Sequence, residues 1–114
     1  MEKKYRLLED DTITVDGRTL YRIEALRDFA DVNIGDKGGY IESKINLSHE
    51  GNCWVAGSAR VFGDAWVSGN ARVYDNARVF GDAWVSGDAR VSGNAWVAGS
   101  ARVFGDAWVS GNAR

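Results

Sequence analysis

From Val55 to the last residue the chain repeats one six-residue phrase, Val-x-Gly-[Asn/Asp/Ser]-Ala-[Arg/Trp], and the register never slips. Valine recurs at 55, 61, 67 and every sixth position to 109, and the residue two places before each is alanine, except Cys53 at the start. In an extended segment such as Ala59-Arg60-Val61, residues two apart share a face, so alanine and valine point one way and arginine or tryptophan the other. An unpaired buried guanidinium costs several kcal/mol, on the order of what a whole rung contributes, so the arginine side faces out. Each phrase then turns at a glycine, or at Asp75 in one case, followed by Asn, Asp or Ser, residues that suit a corner. One hexad is therefore one short strand plus one corner.

Such a unit buries no apolar face alone. Short fixed periods belong to solenoids, in which each coil pairs with its neighbours through parallel ladders. The coil length follows from stacking. Three hexads per coil, an 18-residue offset, set Phe62 over Phe80, Trp66 over Trp84, Ser68 over Ser86 and Arg78 beside Trp96. Two per coil would align Arg78, Arg90, Arg102 and Arg114 in one column, an unfavourable like-charge ladder. The sequence thus predicts an all-β parallel β-solenoid with three hexads per coil.

The leader differs in kind. The first fifty residues hold eight basic and eleven acidic side chains, every lysine and every threonine, and no tryptophan. Thr12–Val15, Asp16-Gly17 and Thr19–Ile23 read as a hairpin about a tight Asp-Gly turn, with Tyr21, Ile23 and Ala25 on one face. The expected organisation is a hairpin cap over residues 1–31, irregular first rungs over 32–50 with Ile34, Ile41, Leu47 and Val55 as their apolar positions, and a regular solenoid over 51–114. The cap is expected to cover the N-terminal end of the stack, which would otherwise be an open sheet edge.

Val73-Tyr74-Asp75-Asn76-Ala77-Arg78 resembles the rungs of hexapeptide-repeat, left-handed parallel β-helices. That resemblance implies a left-handed coil. Bacterial cytoskeletal β-helices use Val-x-Gly-Asn/Asp phrases and coil the other way, and spacing alone does not choose between the two hands. The leader segments Tyr21–Phe29, Gly38–Glu42 and Asn46–Ser48, with Gly51–Val55, resemble small hexapeptide-repeat proteins encoded by bacterial phages and prophages. This implies a phage accessory role, with interference with a host defence protein as an alternative.

Composition narrows the function. The net charge of −2 leaves no polyanion and no strongly basic surface, so nucleic acid is not the expected partner. No apolar run is long enough for a membrane span or signal peptide, and a cytoplasmic location is expected. No ligand cluster for a metal and no phosphate loop is present, so no cofactor is expected. Cys53, the one cysteine, reads as a small buried hydrophobe. Hexapeptide-class acyltransferases use a histidine as general base, and the one histidine, His49, lies in the irregular Ser48-His49-Glu50 stretch, where it reads as a solvated corner residue. The chain is expected not to be an enzyme.

Two surfaces remain. Trp54, Trp66, Trp84, Trp96 and Trp108 are expected to point outward with Arg60, Arg72, Arg78, Arg90 and Arg102, as cation–π ladders or as a protein interface. The end carrying Val103, Phe104, Trp108, Val109 and Arg114 is expected to pair with a second copy as a homodimer, or to stack into a filament. Residues 51–72 and 93–114 are identical except for Cys53 against Ala95, an offset of seven hexads. Seven is not a multiple of three, so the copy moves each phrase onto another face, which suits a scaffold or binding surface better than a catalytic centre.

Overall fold

The computed structural model describes residues 4–15, 17–30 and 32–111. Asp16 of the expected turn and Arg114 of the expected self-association end therefore lie outside the described residues. Each hexad contributes a two-residue strand: β4 (Trp54–Val55), β5 (Arg60–Val61), β6 (Trp66–Val67), β7 (Arg72–Val73), β8 (Arg78–Val79), β9 (Trp84–Val85), β10 (Arg90–Val91), β11 (Trp96–Val97), β12 (Arg102–Val103) and β13 (Trp108–Val109). Each strand from β4 to β10 pairs in parallel with the one 18 residues on, Trp54 with Arg72, Arg60 with Arg78 and Trp66 with Trp84. Three hexads make one coil. The strands stack into three faces: β5, β8 and β11; β4, β7, β10 and β13; and β6, β9 and β12.

The interior is what the alternation demands. From Cys53 to Val97 the alanines and valines of the template are fully or almost fully buried, each fully enclosed valine contributing about 1.5–3 kcal/mol of transfer free energy. Between coils the main chain is satisfied by ladder bonds, the Trp54 N–H donating to Ala71 O and the Ala56 N–H to Val73 O. The corners turn on positive φ. At Gly69 (φ +65) an added Cβ would lie 3.0 Å from the main-chain nitrogen of Gly87, so both the dihedral and the close coil stacking exclude a side chain. Asp75 adopts the same conformation (φ 61) without being glycine, and its carboxylate accepts the Gly93 N–H from the next coil.

Coil length came out as expected, but the charge argument behind it holds only in part. Three hexads per coil still place Arg60 on Arg78 and Arg72 on Arg90 in register. What the coil avoids is an unbroken column. Each arginine pair is followed by an indole, Arg78 lying 5.6 Å from the Trp96 ring and Arg90 5.4 Å from Trp108.

The leader extends the first face. β1 (Tyr5–Val15) and β2 (Arg18–Ala25) form an antiparallel hairpin, β2 pairs antiparallel with β3 (Lys37–Ile41), and β3 passes into parallel register with β5. Tyr5, Ile23 and Ala25, with Phe29 and Val32, join the solenoid interior and close its top. Leu20 points the opposite way, as residues of odd separation in a strand must, and forms an outer cluster with Tyr40 and Phe62, flanked by Ile13, Val15 and Phe80. One hairpin thus plugs the core and pads the outside of a face. The plug follows from the strand alternation in the sequence; the pad, built from segments distant in the chain, does not.

The first rungs also differ from expectation. Ile41 pairs with Val61 and Leu47 bridges to Val67, but Ile34 is exposed and Val32 is buried in its stead. Ile34 sits in a tight turn in which its N–H donates to the Asp28 carboxylate and the Asn33 N–H to Asp36, so the segment is still outside the coil. Among the described residues no helix is long and apolar enough to cross a membrane.

Candidate interaction faces

The outward strand positions carry the tryptophans and arginines, and their surroundings differ from face to face. On the β4 face Trp54 is only 4% exposed, contrary to the expectation that all five indoles stand free. It does point away from the coil, but Phe29 of the leader folds over it edge to face at 5.3 Å. Leader and solenoid are clasped there, and Trp54 is structural.

On the first face Arg60 and Arg78 are half-buried beneath the hairpin and Trp96 follows them, in edge contact with Phe80 at 5.7 Å. Higher up, Arg22 lies 4.6 Å from the Tyr40 ring and pairs with Asp11 at 2.9 Å.

The β6 face is the open one. Trp66 and Trp84 are 40% and 42% exposed and meet edge to face at 5.4 Å, while the Arg102 guanidinium lies 4.7 Å from the Trp84 ring. Above Trp66 a 3₁₀ turn, Lys44–Asn46, overhangs the face. Buried Asn46 fixes it: its Oδ1 accepts the N–H groups of Glu42 and Ser43, and its amide donates to the carbonyls of Gly63 and Ala65. With all these bonds made, the turn is held rigidly and Ile45 is left 61% exposed at its tip. Ile45, Leu47, His49, Asp64, Trp66 and Trp84 line a hollow of about 490 Å³. The tryptophans on this face were legible in the sequence; Ile45 was not, because its exposure depends on Asn46 bonding a coil below.

His49 is not a solvated corner. Its ring stacks on Tyr5 at 4.1 Å and its Nδ1 accepts the Lys4 main-chain N–H at 3.1 Å. These two contacts hold β1 against the stack. Beside it Lys4, fully buried, donates to Cys53 O at 2.7 Å and approaches the Cys53 sulfur at 3.3 Å. Burial lowers the Lys4 pKa and raises that of Cys53. Cys53 fills the alanine slot as expected, yet its sulfur meets an ammonium that composition gave no hint of.

At the C-terminal end Val103 closes the interior, Val109 is half-buried, and Phe104 and Trp108 are largely exposed. Among the described residues no group of His, Cys, Asp or Glu is placed to hold a metal ion.

Comparison with known proteins agrees with this architecture. Residues 71–87, 85–99 and 89–105 match the YdcK beta solenoid repeat family. The chain is 39% identical over 74 residues to a protein of Escherichia coli (strain K12) named Uncharacterized acetyltransferase YdcK, a match covering 58% of this chain and 23% of that protein. The chain is a β-solenoid repeat protein, similar to YdcK over part of its length, and it spans about a quarter of that relative's length.

Proposed function

We propose that this chain is a non-enzymatic, partner-binding solenoid whose β6 face docks another protein. The carrying observation is the coincidence of Trp66, Trp84 and Ile45, all substantially exposed, on one rigid face beneath the Asn46-anchored turn. Tryptophan and arginine clustered around a concave centre are the composition of binding hot spots, and a contiguous exposed apolar patch on a small protein marks an interaction site. The leader's resemblance to phage and prophage proteins supports a phage accessory role in the cytoplasm, with a host defence protein as the alternative partner. Self-association is part of the reading: Phe104 and Trp108 are large exposed hydrophobic side chains that a second copy would cover in a dimer. Light scattering over a range of concentrations reads this directly, a constant monomer mass ruling it out.

Replacing both Trp66 and Trp84 with threonine tests the main reading. Both side chains are outward and half-exposed, so folding by circular dichroism is retained while capture of the partner is lost. A folded double variant that still captures the same partner disproves the β6 face as the site.

A second reading, acetyl transfer, is supported by the name of the relative. Its test is acetyl transfer by purified protein, with and without His49→Ala; activity that disappears in the variant would favour it. The first reading is supported by the contacts of His49 with the leader, its Nδ1 accepting the Lys4 main-chain N–H and its ring stacking on Tyr5.

A further inference from the structure

The first face presents a charge arrangement that its own residues do not neutralise. Arg60 and Arg78 occupy paired positions on β5 and β8, one strand spacing of about 4.8 Å apart. Like charges directly opposite one another in a sheet are destabilising. Three ion pairs form among the described residues, Arg6–Glu24, Arg18–Glu42 and Arg22–Asp11, and none includes Arg60 or Arg78. The carboxylate at the adjoining corner, Asp75, accepts the Gly93 N–H. The Arg60 Nε is buried with no hydrogen-bond partner among the described residues, a donor left unpaired at a desolvation cost.

These guanidiniums share a depression with Ser58, Asn76, Asn94 and Trp96. Two fixed positive charges, a hydroxyl and two carboxamides form a wall rich in donors. Arg78 is held against the Trp96 ring at 5.6 Å, which orients its guanidinium before any ligand arrives. Charge count selects the ligand: a carboxylate would leave one positive charge over, whereas a phosphoryl group near pH 7 carries about −1.5 to −2 and several acceptor oxygens. Arginine pairs bind phosphate through charge-assisted hydrogen bonds.

We propose that the depression between Arg60 and Arg78 is a binding site for a doubly charged phosphoryl group, either inorganic phosphate or a phosphomonoester. It lies on a different face from Trp66 and Trp84 and stands whether or not that face docks a protein.

The test is calorimetric titration of the full chain with inorganic phosphate and, separately, with O-phosphoserine, against chloride at matched ionic strength. Saturable binding is expected with one or both, and tighter binding of O-phosphoserine identifies the source as a phosphomonoester. Arg60→Gln and Arg78→Gln each weaken it about tenfold or more, while Arg6→Gln, the same charge change on the hairpin, leaves it within about twofold. Affinity for O-phosphoserine falls as pH drops below about 6, where the second proton returns. Thermal unfolding supplies an independent reading: without phosphate Arg60→Gln is at least as stable as the wild type, because repulsion is relieved and the unpaired Nε is removed, and added phosphate reverses that order. Binding no stronger than chloride, or equal binding by the double variant, overturns the proposal.

Discussion

Residues 51–69 and 93–111 spell the same sequence apart from Cys53 and Ala95, yet the structure gives them different surroundings. Phe62 is 5% exposed, Phe104 67%. Trp54 lies under Phe29, while its counterpart Trp96 stacks on Arg78 and Phe80. Arg60 faces Arg78, while Arg102 rests on Trp84. The interior of the two copies is alike, alanine and valine in the same slots. The difference arises outside, because an offset of seven hexads on a three-hexad coil shifts each phrase by one face, and the leader covers only the first copy, the hairpin padding Phe62 on one face and Phe29 covering Trp54 on another. Local sequence sets which way a side chain points; the leader sets whether it is covered.

That contrast is sharpest at the phenylalanines. Phe62→Ala removes a ring enclosed by Leu20 and Tyr40 and is expected to cost about 3–4 kcal/mol in urea unfolding, against about 0.5 kcal/mol or less for Phe104→Ala. Equal losses would mean that the outer pad contributes nothing. The tryptophans follow. Trp54→Ala is expected to cost about 3 kcal/mol, with detachment of the leader seen as faster hydrogen exchange in β1, and Trp96→Ala about 1 kcal/mol through lost ring and guanidinium contacts.

A small effect also belongs to the one differing residue. Cys53→Ala makes the first copy match the second and is expected to change stability by less than about 1 kcal/mol at pH 7. Its signature is in pH dependence. Burial raises the Cys53 pKa, so the unfolded chain ionises first, above about 8.5, and wild-type stability falls as pH rises from there. Lys4, with its pKa lowered by burial, acts in the opposite sense, since the unfolded chain holds a proton that the folded one resists, a cost that fades only towards about pH 10.4. Between pH 8 and 10 the variant should therefore lose less stability than the wild type. Parallel pH profiles would show that the thiol does not titrate on unfolding.

What could be read from the sequence was whatever repeats. The ladder register, three hexads per coil and the inner alanines and valines all follow from spacing, and the hairpin from its turn residues. The rest depends on contacts between segments distant in the chain. Asn46 reaches Gly63 and Ala65, Lys4 reaches Cys53, and Phe29 reaches Trp54. None of these partners stands in a periodic position relative to the other. His49 looked solvent-facing for the same reason, its stacking partner Tyr5 lying 44 positions earlier in the sequence. On the candidate face, Trp66 and Trp84 were visible in advance; the overhanging Ile45 required the fold.

The uniformity of the hexads has a consequence for how such a chain changes length. Because every hexad supplies the same alanine and valine to the interior, gaining or losing one leaves the inner wall intact. The outside is re-dealt: all positions beyond the event rotate by a third of a turn about the coil axis, and each indole acquires new neighbours. Only changes in threes conserve the surface. A single hexad gained or lost therefore changes the exterior wholesale while the inner wall is kept, and a surface passes intact through a change of length only in units of eighteen residues.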